Sequence, residues 1–193
     1  EGPTTIIQTR DPDVIEGHNL FKFDLPFLLA RARRLKVRLS WGREGSTLAS
    51  RPSRLQIAEK TIQYPKFTAR GRHLVDTWVL AQYYDISSRE LESLGLKSVA
   101  RHFDVLEKNR VFLEGNDIQR AYREDQGAFR TYALQGVRET RALAAIFSRS
   151  YFTQAQIFPY NYQDVIIRGN ATKIDALFLR EYLRRGHSIP DLP

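Results

Sequence analysis

The sequence predicts a mixed α/β fold in which helices pack on a sheet. Three observations carry that expectation. Strand-like alternation is confined to the part of the chain before Asp76. Helical spacing of apolar residues dominates afterwards. An apolar content of 42%, with 11 Phe, 9 Tyr and 2 Trp, is enough to fill a core. At 193 residues the chain fits one domain, or one domain with a trailing element.

Residues 13–18 read as a short strand ending in a glycine turn. Over residues 25–35, Leu25, Leu28, Leu29, Ala32 and Leu35 recur at helical spacing and predict a narrow buried stripe. Pro26 falls in the first turn, where its missing N–H is harmless, and Arg31, Arg33, Arg34 and Lys36 crowd the end, where positive charge suits the dipole. Residues 37–39, 55–57, 61–64 and 73–75 alternate like strands, with turns expected at 42–46 and 51–53 and at least one hairpin. Residues 77–84 predict a short apolar helix. Ser87-Ser88-Arg89-Glu90 reads as a capping box opening another, broken at Gly95 before a helix over 97–103. An extended stretch over 110–115 precedes a short helix to Glu124 that Asn116 caps. A long helix spans 127–147, with Phe129, Tyr132, Ala133, Val137, Leu143, Ala144 and Phe147 near one face. A last helix starts at the box Thr172-x-x-Asp175 and turns Ile174, Leu177, Phe178 and Tyr182 inward.

The net charge of +8 suggests a polyanionic partner, with a basic surface kept for solubility as the plainer alternative. Arginine outnumbers lysine, which suits bidentate phosphate contacts. Cys 0 rules out disulfides and thiolate zinc sites and fits a reducing, cytoplasmic setting. No apolar run approaches the roughly 20 residues of a membrane span. Four scattered histidines show no zinc-ligand spacing. Tyr151, Phe152, Tyr160 and Tyr162 suit either core packing or base stacking. Met 0 and the opening Glu1-Gly2-Pro3 predict a piece of a longer protein.

The most informative stretch is Asn19-x-x-x-Phe23-Asp24, directly after Asp11-Pro12-Asp13-Val14-Ile15-x-Gly17-His18. An aspartate at a sheet edge and a helix start is placed to hold a divalent metal; it is equally placed to cap the helix. Together with Tyr132-x-x-x-Gly136, these residues resemble the 3′–5′ exonuclease domain of family B DNA polymerases. Further similarity runs through 71–78, 95–103, 129–141 and 168–185.

That resemblance implies an RNase H-like fold with its first strands missing, a β-hairpin insertion over about 37–70 and a C-terminal helix leading towards a palm domain. Residues 1–150 are then a partial exonuclease domain, and 151–193 a linker and helix towards the palm. It implies DNA as partner, through a single-stranded 3′ end, alongside the palm and N-terminal domains of a parent chain. It also implies Mg²⁺ or Mn²⁺ chemistry in DNA replication or repair. On the matching positions Asp24 would bind metal, Asn19 would support it and Tyr132 would orient water.

Two departures oppose activity. The family's third motif ends in Asp where this chain has Gly136, and its first motif, D-x-E, is not found upstream of Asn19. Glu139 is expected as a solvated or Arg-paired surface residue. A two-metal reaction needs several bridging carboxylates, and Asp24 alone does not supply them. The expectation is therefore an exonuclease domain inactive as a nuclease. A degenerate DNA-binding or architectural module is the alternative, and an unrelated basic α/β protein a third.

Overall fold

The computed structural model describes residues 2–189. It divides into two units. The first takes the chain up to 15, then 21–75, then from 148 onward; the second takes 16–20 and 76–147.

In chain order, helix α1 is Pro3–Arg10 and strand β1 is Val14–Gly17. A π-helical turn over Leu20–Asp24 leads into α2, Leu25–Arg34. Strands β2 (Ala49–Ile57), β3 (Lys60–Thr68) and β4 (His73–Asp76) follow. Helices α3 (Thr77–Ser88), α4 (Leu96–His102), α5 (Asn116–Glu124), α6 (Gln126–Ile157), α7 (Tyr162–Ile167) and α8 (Asn170–Arg184) complete it. β1 pairs with β4, and β2 pairs with β3. No helix among the described residues is long and apolar enough to cross a membrane.

The first unit is built around the antiparallel β2–β3 hairpin, whose register sets Leu55 opposite Ile62 and Pro52 opposite Pro65. Phe21, Leu25, Leu55, Phe67, Leu74 and Val165 are almost wholly buried in it. Each such side chain contributes about 1.5–3 kcal/mol by leaving water. The Gln163 amide donates to Phe67 O at 2.7 Å and accepts from Leu74 N at 3.0 Å, so α7 holds β3 and β4 together. Buried Arg72 binds Asp11, Pro12 O and Trp41 O, fixing the chain ahead of β1.

The second unit centres on Val79, Leu80, Val99, Leu143 and Phe147. The Phe103 ring meets both Tyr84 and Phe147 at 4.9 Å. The Asp76 carboxylate caps α3 by accepting from Trp78 N at 3.0 Å.

Several expectations need correction. Residues 37–39 form no strand, and 51–53 lie inside β2 rather than in a turn. Proline is tolerated there because a two-stranded ribbon leaves one edge of each strand without partners. Ser87 and Ser88 close α3: both hydroxyls donate back to Tyr84 O, and Arg89 adopts the left-handed conformation. No helix follows until α4. Asn116 and Thr172 make no side-chain cap, since α5 and α8 start after Gly115 and Gly169.

Leu35 lies beyond α2 and is 59% exposed. Ile174 and Phe178 are also exposed, and α8 buries Ala176 and Lys173 instead. α6 runs ten residues past position 147, because nothing between 147 and Ile157 breaks a helix. Its buried face is Gln135, Glu139, Leu143, Ala144 and Phe147, and Val137 is 65% exposed. The sequence pattern also missed α1 and α7. The expected C-terminal segment's last positions, 190–193, lie outside the described residues.

Candidate functional site

Asp24 belongs to the first unit, Asn19 and Tyr132 to the second. Asp24 ends the π-helical turn with helical backbone angles, φ −64° and ψ −50°, and its side chain makes no capping hydrogen bond to α2. The capping alternative is thereby corrected: a residue already inside a helical run has no free N–H two or three residues on to receive. On either side, Phe23 and Phe27 are exposed, with parallel rings 6.5 Å apart. One carboxylate from Asp24 is far short of the six or more oxygens that a hard cation takes.

Asn19 has φ +66°, a left-handed conformation that asparagine tolerates better than other side chains. Its backbone N donates to Asp76 Oδ1 at 2.8 Å, so Asp76 fastens the turn after β1 as well as the start of α3. His18 beside it bridges Thr77 Oγ1 at 2.9 Å and Leu94 O at 2.8 Å, and burial lowers its pKa. Leu94 O can only accept, so Nε2 carries the proton.

Around Tyr132 the arrangement is cationic. Arg110 Nη1 donates to Tyr132 O at 3.0 Å, and the guanidinium carbon lies 4.8 Å from the Tyr132 ring centre. Lys97 Nζ lies 5.4 Å from the same ring. One turn along α6, a Cβ on Gly136 would stand 3.8 Å from Arg110 Nη2 and 3.7 Å from Leu96. The space beside Gly136 is therefore bordered by a guanidinium.

Glu139 is fully buried, with Arg110 Nε 2.8 Å from its Oε1. Neither carboxylate oxygen makes a well-aligned hydrogen bond, so the contact is ionic in character. Burial raises the Glu139 pKa, and the Arg110 charge opposes that rise. The expectation of a surface glutamate is half corrected: it is Arg-paired, and it is inside. Gln135 completes the cluster, accepting from Arg110 Nη1 and Val111 N and donating to Asn109 O. The extended segment over 110–115 is thus held against α6 by buried polar side chains.

These residues do not fit a divalent metal. Among the described residues no group of three His, Cys, Asp or Glu could hold one. A dication about 4 Å from a guanidinium is repelled by roughly 8 kcal/mol at an effective dielectric of 20. Sequence reasoning missed Arg110, Lys97 and Gln135. The available signal was the spacing of Gln135 and Glu139 at four-residue steps ahead of Leu143 and Phe147, which puts all four on one face.

The β1–β4 pair thus runs into helices at a turn that Asn19 and Asp76 fasten. The DNA polymerase family B exonuclease domain matches residues 3–99, and the chain belongs to that family. The DNA polymerase of Archaeoglobus fulgidus is 28% identical over 190 residues, covering 97% of this chain and 22% of that protein. The DNA polymerase delta catalytic subunit of Glycine max is 27% identical over 193 residues, covering 96% of this chain and 17% of that protein. The solved family B DNA polymerase from Pyrobaculum calidifontis shares the fold, with a TM-score of 0.75 at 23% identity, over 98% of this chain and 23% of that one. The chain spans about a fifth of the length of these relatives.

Proposed function

We propose that this chain is the exonuclease-domain portion of a family B DNA polymerase-like protein, that it binds the single-stranded 3′ end of a primer, and that it does not cleave it. Within that reading residues 1–150 form the partial, RNase H-like exonuclease domain, and 151–193 lead towards a palm. The partners are DNA and the other domains of the parent polymerase, and the setting is cytoplasmic replication or repair.

One observation supports the silence most: Gly136 stands where the related motif carries a carboxylate, with Arg110 Nη2 3.8 Å from its Cβ position. A missing ligand weakens a metal site, and a cation in the adjoining space opposes it. The positive charge of +8 supports the binding half of the proposal. Asp24, Asn19 and Tyr132 remain from the site without the means to assemble two metals. An architectural DNA-binding module has the same chemistry and differs only in what the parent protein does.

The test uses the purified chain, a 3′-labelled single-stranded oligonucleotide and Mg²⁺ or Mn²⁺. The expected result is salt-sensitive binding with no nucleotide release above a blank. Metal-dependent, processive release overturns the proposal.

A further inference from the structure

α2 ends in a Schellman turn. Val37 N donates to Ala32 O at 2.9 Å, Lys36 N to Arg33 O at 3.2 Å, and Lys36 takes a left-handed φ of 54°. The backbone is therefore fixed where the helix gives way to the loop. Arg31, Arg33, Arg34, Lys36 and Arg38 all project from this turn and all are exposed. None of them forms an ion pair with a described residue. No acidic residue occurs between positions 25 and 42. The next arginine shows the contrast: Arg43 is paired with both Asp11 and Asp13.

The helix dipole explains part of this. It amounts to about half a negative charge at the C-terminus, felt over the last turn. Five positive charges exceed it roughly tenfold, and the surplus repels itself on a backbone that holds it together. Such a surface is satisfied by a polyanion. Four of the five cations are arginines, whose planar forks match phosphate oxygens.

We infer that the exit of α2 is a phosphate-contacting surface for nucleic acid. This rests on the reading that the chain binds DNA and adds where the backbone lies. The occupant is a nucleic-acid strand; an acidic protein surface would use the same charges and is separated by the test.

The whole 193-residue chain is titrated with a labelled single strand and a labelled duplex between about 50 and 200 mM salt. One variant carries Arg31→Gln, Arg33→Gln, Arg34→Gln and Arg38→Gln. A control loses the same charge elsewhere, through Arg123→Gln, Arg149→Gln, Arg180→Gln and Arg184→Gln. Each lost phosphate contact lowers the log–log salt slope by about 0.7 on single strands or about 0.9 on duplex. The first variant should lose two or more such steps, with Kd rising at least about tenfold at the low-salt end. The control should change by less than about threefold. A second variant, Leu35→Glu with Val37→Glu, alters only exposed side chains, keeps every arginine and should weaken binding in the same direction.

Equal losses in the first variant and the control overturn the inference and leave DNA binding intact. Unchanged binding in both patch variants does the same and leaves the surface to an acidic protein. No binding by the unaltered chain sinks this inference and the proposed function together.

Discussion

Arg110 Nε and Glu139 Oε1 meet at 2.8 Å with 3% and 0% of their side chains exposed, on the face of α6 that carries Tyr132's neighbours. Removing two charges from water costs several kcal/mol per ion, and their attraction repays this only with good geometry. Here the hydrogen-bond alignment is poor. Removing one partner should therefore hurt far more than removing both. Arg110→Met and Glu139→Leu should each cost about 3–5 kcal/mol, while the double variant should cost less than Arg110→Met alone, retaining only the loss of the bonds Arg110 gives Tyr132 O and Gln135. Urea unfolding of the four proteins measures this; additive costs would show that the pair is not coupled.

Restoring the motif's carboxylate should not restore a metal site. Gly136→Asp places an acid within reach of Arg110, and that cation is fixed where a metal would have to be recruited. Helix propensity is nearly indifferent to the change, and a Cβ at this position makes only ordinary contacts with Leu96 and Arg110. Mn²⁺ binding followed by electron paramagnetic resonance should match the parent chain, and 3′ nucleotide release should stay at the blank. A single tight Mn²⁺ site in this variant would refute the occluded-cation account.

Acidification should destabilise the chain through His18. Burial holds its folded pKa below the ordinary value, so the unfolded chain binds its proton at higher pH than the folded one. Stability is fully present above about pH 6.5 and is lost as pH falls through the folded pKa. Burial lowers the His73 pKa in the same direction, so both histidines contribute to the acid loss. His18→Gln should shrink, without abolishing, the fall in urea midpoint between about pH 7.5 and about pH 5.5. An identical fall in parent and variant would mean that His18 titrates alike in both states.

What could be read in advance followed from strong local signals. α2, β3, β4, α4 and the extended stretch before α5 were marked by clear periodicity or by Gly and Pro punctuation. The failures have common physical causes. Ser87 and Ser88 carry groups that serve helix ends of either polarity, and only the Tyr84 carbonyl decides which. On α6 Leu143, Ala144 and Phe147 face inward as their spacing predicts, and Val137 does not. Gln135 and Glu139 go inward instead, because Asn109, Arg110 and Val111 from a distant loop satisfy them.

Such partners have no local trace. The same holds at the site: Asn19, Asp24, Tyr132 and Gly136 were identified by spacing, and Arg110, which sets the electrostatics of Gly136, was invisible to it. The bond from Asn19 N to Asp76, 57 residues on, has no trace in the local sequence either.

Gln163 belongs to neither ladder, yet its amide touches a carbonyl on one ribbon and an N–H on the other. One side chain thereby links the two ribbons. Exchanging its NH₂ for an oxygen, as glutamate would, leaves the acceptor for Leu74 but sets a carboxylate against the Phe67 carbonyl. The hairpin would then lose its half of the stitch, the donor to Phe67 O, while Leu74 N keeps its acceptor.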